Sequence, residues 1–91
     1  MYYTYILYSK KVDRYYVGYT SDLEERLKRH HDHKISYTSN RGPWKLVWYK
    51  AFDSKSAAYA CERSIKKMKS RKYIETLIRN FKQEISSSSV H

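Results

Sequence analysis

The stretch from Tyr15 to His30 constrains this chain most, because it runs from a strand, through one of only two glycines (Gly18), into a helix with its own start signal. Ser21 followed by Glu24 fits a capping box, in which the hydroxyl and the carboxylate each satisfy an orphan backbone donor. A helix from about Asp22 to His31 is therefore predicted. At about 100° per residue, Leu23, Arg26, Leu27 and His30 share one face, and Glu24, Glu25, Lys28 and Arg29 point away. An arginine and a histidine thus occupy the apolar stripe. Two readings are open. Arg26 and His30 are satisfied groups at the edge of the core, or the stripe lines a cleft and the planar donor fork of Arg26 faces an anion such as phosphate.

The flanking segments supply a scaffold. Tyr2 to Tyr8 is aromatic and β-branched almost without a break, which predicts a central strand covered on both faces; Lys10 to Arg14 is a polar turn and Tyr15 to Tyr19 the returning strand. Tyr3, Tyr5 and Leu7 fall on one face of the first strand, and Thr4, Ile6 and Tyr8 on the other. Asp32 to Pro43 is polar and reads as a surface loop, and Trp44 to Phe52 as a third strand. Asp53 or Ser54 caps a second helix, roughly Lys55 to Lys69, with Ala58, Cys61, Ile65 and Met68 as its apolar stripe. Glu62 falls inside that stripe and is the second misplaced charge. Ser70 starts a third helix that buries Ile74, Leu77, Ile78 and Phe81. The order β-β-α-β-α-α predicts an α+β fold, a small antiparallel three-stranded sheet flanked by helices. Residues 1–82 form one domain in this reading, and 83–91, with the Ser86 to Ser89 run, a disordered tail.

Ninety-one residues allow one modest core, with any site near the surface. Nineteen Lys and Arg against nine Asp and Glu give +10, which favours a polyanion: nucleic acid, acidic lipid headgroups or an acidic protein. Eleven tyrosines interleaved with basic residues suit contact with bases and phosphates, although at least half of them are expected simply to pack the sheet. Cys61 is the only cysteine, so a disulfide framework is excluded and a reducing, cytoplasmic setting is expected. The amino-terminal apolar run is short and its charges follow it, unlike a signal peptide, and no stretch approaches the roughly twenty apolar residues of a membrane span. The run His30-His31-Asp32-His33 is poorly spaced for tetrahedral zinc. Lys66, Lys67, Lys69, Arg71 and Lys72 form a basic patch, extended by Lys34, Arg41 and Lys45, which suits a solvated face or a track for a nucleic-acid backbone.

Arg26 and Glu62 both violate the pattern of their helices, which suggests that they face the same place. A structural Arg26–Glu62 salt bridge would account for both. A phosphodiesterase site would too: Glu62 holding one hydrated divalent cation, Arg26 steadying phosphoryl charge, and a tyrosine or His30 moving a proton.

Tyr3-Thr4-Tyr5, then Tyr16-Val17-Gly18, then Arg26 on the next helix and Glu62 on a later one, resembles the GIY-YIG nuclease superfamily. Within it the chain is similar to a small single-domain bacterial branch related to the amino-terminal nuclease domain of the UvrC repair protein, over about residues 2 to 80. The resemblance implies an endonuclease that hydrolyses DNA, rather than RNA, in repair or recombination, using one Mg²⁺ or Mn²⁺ ion, and it leaves room for a protein partner or a homodimer. It implies that Tyr5 is general base for the attacking water, that Tyr16 assists or orients it, and that Gly18 lets the backbone turn beside the site. Arg26 and His30 match helix residues of the family, and Glu62 matches the metal-binding glutamate. In-line attack would then cleave without a covalent intermediate. Tyr3 stands where the first motif has glycine, and Tyr19 where the repair nucleases have lysine. The alternatives are a nucleic-acid-binding module on the same scaffold with weak or lost catalysis, and a basic adaptor for an acidic protein.

Overall fold

A computed structural model describes residues 1–32, 39 and 41–89, with the side chains of 85–89 left aside. Lys34 lies outside the described residues. The bulky run at the amino terminus forms β1 (Tyr2–Ser9), which sits between β2 (Arg14–Thr20) and β3 (Lys45–Phe52) in the order β2-β1-β3, antiparallel to both. A middle strand is covered on both faces, and Thr4, Tyr5, Ile6 and Leu7 are accordingly all fully buried. The pairing sets Tyr5 opposite Gly18, Ile6 opposite Val17 and Leu7 opposite Tyr16. Along β3, Ile6 faces Trp48 while Leu7 faces Leu46, so Val47 is the extra residue of a β-bulge.

Alternation along β1 divides the interior into two thin cores. On one face Tyr5, Leu7 and Trp44 pack with Tyr16 and with Leu23 and Leu27 of α1 (Leu23–His31). On the other, Ile6, Val17 and Trp48 pack with Ile65 of α2 (Lys55–Met68) and with Ile74, Leu77, Ile78 and Phe81 of α3 (Arg71–Ser89). The architecture is the α+β arrangement with the element order β-β-α-β-α-α. No helix among the described residues is long and apolar enough to cross a membrane.

Three local details differ from the sequence reading. Asp22, not Ser21, caps α1, accepting from the Glu25 amide at 3.1 Å. The Thr20 hydroxyl accepts the Asp22 N–H at 3.1 Å, which holds Asp22 extended (φ −141°, ψ 95°) and starts the helix one residue later. Met68 is 53% exposed rather than part of the buried stripe, because Lys69 turns left-handed (φ 47°) and ends α2 there. The third helix continues to Ser89, past the boundary at residue 82 where a tail is predicted. Once a helix is nucleated each added residue gains a backbone hydrogen bond, which carries it through a serine run of weak propensity. The other caps follow the sequence: Ser54 accepts from the Ala57 amide at 3.2 Å and Ser70 from the Tyr73 amide at 3.1 Å.

Candidate active site

Because β2 is an edge strand, side chains from both faces of the sheet can meet along its open side. A polar cavity of about 460 Å³ lies there, lined by Tyr16, Gly18 and Thr20 of β2, Arg26 of α1, and Lys55 and Glu62 of α2. Helices α1 and α2 cover opposite faces, so the two charges that break their helical patterns arrive at one place only by reaching past that edge. They do not pair with each other. Glu62 Oε1 takes the Lys66 ammonium at 3.3 Å, and its side chain is 12% exposed. Arg26 Nε is buried with no hydrogen-bond partner. An orphaned guanidinium donor is costly inside a protein, and an anion in the cleft would satisfy it.

Behind the cleft stands Tyr5, fully buried, with its hydroxyl 3.0 Å from His30 Nε2. Burial above all, with the neighbouring Tyr16 and Glu62, pushes the Tyr5 pKa well above the usual tyrosine value, while the Arg26 guanidinium pulls against that rise. His30 is 1% exposed, and burial, helped by the positive charge of Arg26 and by His31, pushes its pKa down to about 4. At neutral pH the pair is therefore an uncharged phenol beside an uncharged imidazole. The Tyr16 ring lies with its centroid 5.0 Å from that of His30, 6.3 Å from Tyr5 and 6.4 Å from Trp44. Trp44 is in turn fixed at its carbonyl by His31 Nε2 at 3.3 Å.

Gly18 lies between this buried group and the cleft. A Cβ placed on it would stand 2.7 Å from the Tyr5 hydroxyl oxygen and 3.1 Å from Tyr16 Cε1. The expected role, a turn from strand to helix, is not the one seen: Gly18 lies inside β2 and no described glycine has a positive φ. The residue is needed for space, since any side chain would overlap the Tyr5 hydroxyl.

The structure brings Tyr5, Tyr16, Gly18, Arg26, His30 and Glu62 together. It treats the basic patch unevenly. Arg71 is engaged within the chain: Nη2 donates to Asp13 Oδ1 at 2.6 Å, Nη1 to the Asp13 carbonyl at 3.2 Å and Nε to Glu75 at 3.1 Å. It clamps the β1–β2 turn, where Asp13 is left-handed (φ 52°), to α3. Lys67, Lys69 and Lys72 are exposed, and Lys66 is the partner of Glu62. Arg41 is exposed, and its carbonyl accepts a hydrogen bond from the Ser9 hydroxyl. Among the described residues Glu62 is the one carboxylate lining the cleft, and no group of three or more His, Cys, Asp or Glu gathers there. Sequence reasoning missed Lys55, although it precedes Glu62 by two helical turns and so shares its face. It also missed the bracing role of Trp44 and His31, which carries no local signal.

UPF0213 proteins of Streptococcus pyogenes serotypes M5 and M3 are 47% identical over 57 residues, covering 62% of this chain and 62% of theirs, so the match spans less than two thirds of those curated relatives. The solution NMR structure of a UPF0213 protein from Bacillus halodurans is 41% identical, with a TM-score of 0.56 over 87% of this chain and 84% of that one. Residues 1–74 match the family described as the GIY-YIG catalytic domain, a span that holds β1 to α2 and every residue of the cleft. The chain belongs to the GIY-YIG family and has its nuclease-type fold.

Proposed function

We propose that the protein is an endonuclease that hydrolyses DNA phosphodiester bonds in the cleft between β2, α1 and α2, with one divalent cation, Mg²⁺ or Mn²⁺. The observation that carries this reading is the convergence of Arg26 and Glu62, from opposite faces of the sheet, in one polar cavity beside the Tyr5–Tyr16 pair. A single carboxylate in a polar cleft fits Mg²⁺, which keeps most of its waters and takes further oxygens from a phosphate. Glu62 would hold it once Lys66 swings aside, and the ion would add positive charge beside the phosphoryl oxygens.

The chain's own residues account for the proton and the charge. Tyr16, which lines the cleft, orients the attacking water. Tyr5 takes a proton from that water as its own phenolic proton passes to His30 Nε2, a neutral acceptor already 3.0 Å away. Arg26 favours the transient phenolate and offers its unpartnered donor to a non-bridging phosphate oxygen. The water oxygen bonds to phosphorus, the leaving sugar oxygen departs with the electron pair of the broken P–O bond and takes a proton from solvent water, the proton held by His30 returns to solvent, and no covalent enzyme intermediate forms. Exposed Lys67, Lys69 and Lys72, with Lys34 and Arg41, contribute counter-charge to the strand on either side. A role in repair or recombination in the cytoplasm fits this chemistry.

A second reading, binding without cleavage, draws on the Lys66 ammonium that occupies Glu62. Labelled duplex, flapped and single-stranded DNA incubated with Mg²⁺, Mn²⁺ or a chelator separates the two. Nicking that needs the metal and disappears in Glu62→Gln and Arg26→Ala is expected. Tight binding of all three substrates with no cleavage under any condition would establish the binding module instead.

A further inference from the structure

Lys55 begins a row of α2 residues that leads out of the cleft. Lys55, Tyr59, Arg63 and Lys67 stand four residues apart, so they follow one ridge of the helix for about 18 Å, and all four are exposed. Lys55 lines the cleft, and Tyr59 packs edge-on against the cleft residue Tyr19 at 5.4 Å, so the ridge starts at the cleft mouth. Arg63 is held in place. Its Nη1 donates to the Tyr59 hydroxyl at 3.3 Å, and its guanidinium lies 5.7 Å from the centre of that ring. With Arg63 over the Tyr59 ring and Tyr19 against it, the ridge offers the remaining Arg63 donors rather than a stacking surface. Next to it an open hollow of about 600 Å³ lies over the small Ala60 and Ser64, rimmed by Arg63, Lys66 and Lys67, with no carboxylate among its described lining residues.

Arg29, Lys66 and Arg71 each have a glutamate one helical turn away, namely Glu25, Glu62 and Glu75. Arg63 instead has Lys67 one turn on, a like-charge pair that costs helix stability. Neither of them, nor Lys55, forms an ion pair among the described residues. A linear row of unneutralised cations suits a linear polyanion, and the small Ala60 and Ser64 let its backbone come close to the helix. We propose that the ridge of Lys55, Tyr59, Arg63 and Lys67 is a second nucleic-acid contact, which holds the DNA backbone to one side of the bond in the cleft, with Arg63 gripping a phosphate in the position that Tyr59 sets. About 18 Å is the length of about five nucleotides along one strand of a duplex, so the ridge engages several phosphates beyond the scissile one. The assignment rests on the reading of the cleft as a phosphodiester site, because continuity with the cleft makes DNA, rather than an acidic protein, the occupant.

The test is fluorescence anisotropy of the full chain with a labelled DNA duplex of about 16 base pairs, long enough to span cleft and ridge, with a metal chelator and over a range of salt. Arg63→Gln and Lys67→Gln keep a good helix former at each exposed position and should each lower the slope of log affinity against log salt by about 0.7–0.9, the loss of one phosphate contact. Tyr59→Phe removes no charge, so it should leave the slope unchanged and weaken binding about threefold by releasing Arg63. Slopes equal to wild type in both glutamine variants overturn the proposal, and so does a glutamate oligopeptide that displaces the duplex at equal concentration of charge. The measurement needs no cleavage, so the two readings fail separately: cleavage with unchanged slopes removes the ridge and keeps the cleft, whereas lowered slopes without cleavage keep the ridge as a DNA contact.

Discussion

The Tyr5 hydroxyl oxygen lies 2.7 Å from the point where a Cβ on Gly18 would stand, directly across the β1–β2 pairing. No real Cβ tolerates that separation, and Tyr5, with no exposed surface, has little room to withdraw. Gly18→Ala should therefore cost about 1–3 kcal/mol of stability, the usual range for overpacking, and should displace the Tyr5 hydroxyl from its place behind the cleft. Urea unfolding and a cleavage assay on the same preparation check both; an unchanged midpoint with full activity would show that the gap has no role.

Removing only the phenolic oxygen separates chemistry from packing. Tyr5→Phe keeps the ring and deletes the bond to His30 Nε2, with an expected stability loss of about 1–2 kcal/mol for a buried hydrogen bond. If Tyr5 moves the proton, cleavage should slow by about 10²–10⁴-fold while DNA affinity stays within about twofold. Single-turnover rates beside equilibrium binding decide it, and a rate within a few-fold of wild type would assign the base to another group.

His30 makes stability depend on pH in a stated direction. Its pKa is about 4 in the fold against 6.5 in the unfolded chain, so between those values the unfolded state binds a proton that the native state does not. Stability is then full above about pH 6.5 and falls as the pH drops toward 4, by on the order of 3 kcal/mol in total. Arg71 holds the Asp13 carboxyl below its usual value, so that group titrates beneath this window. Melting temperatures measured from pH 8 to 4 should trace the fall in wild type and flatten in His30→Gln; parallel curves would place the proton elsewhere.

The basic patch divides by occupancy. Removing one cation that neutralises a phosphate should reduce the slope of log affinity against log salt by about 0.7–0.9. Lys69→Ala is expected to do so, whereas Arg71→Ala should leave the slope unchanged, because its donors are spent on Asp13 and Glu75. Arg71→Ala should instead lower stability only slightly, because all three side chains are about half exposed and water screens the pairs. Equal slope changes in the two variants would show that Arg71 leaves its partners for the strand.

Much of this protein was legible along the chain because the signals are local. The faces of β1 follow from side-chain alternation, the stripe of Leu23, Arg26, Leu27 and His30 from helical periodicity, and the starts of α2 and α3 from Ser54 and Ser70. The misplaced charges Arg26 and Glu62 marked the cleft for the same reason, since a helix cannot keep a charge on its inward face without something to receive it. Only the tertiary structure decided what receives them: Glu62 turns to Lys66 on its own helix, while Arg26 keeps an unpaired donor. It alone showed that Gly18 provides room for Tyr5 rather than a turn, and that Arg71 is bound to a residue 58 positions away. Those facts depend on distances between segments remote in sequence, and such distances are set by how the sheet edge and the two layers of helix pack, which no local pattern encodes.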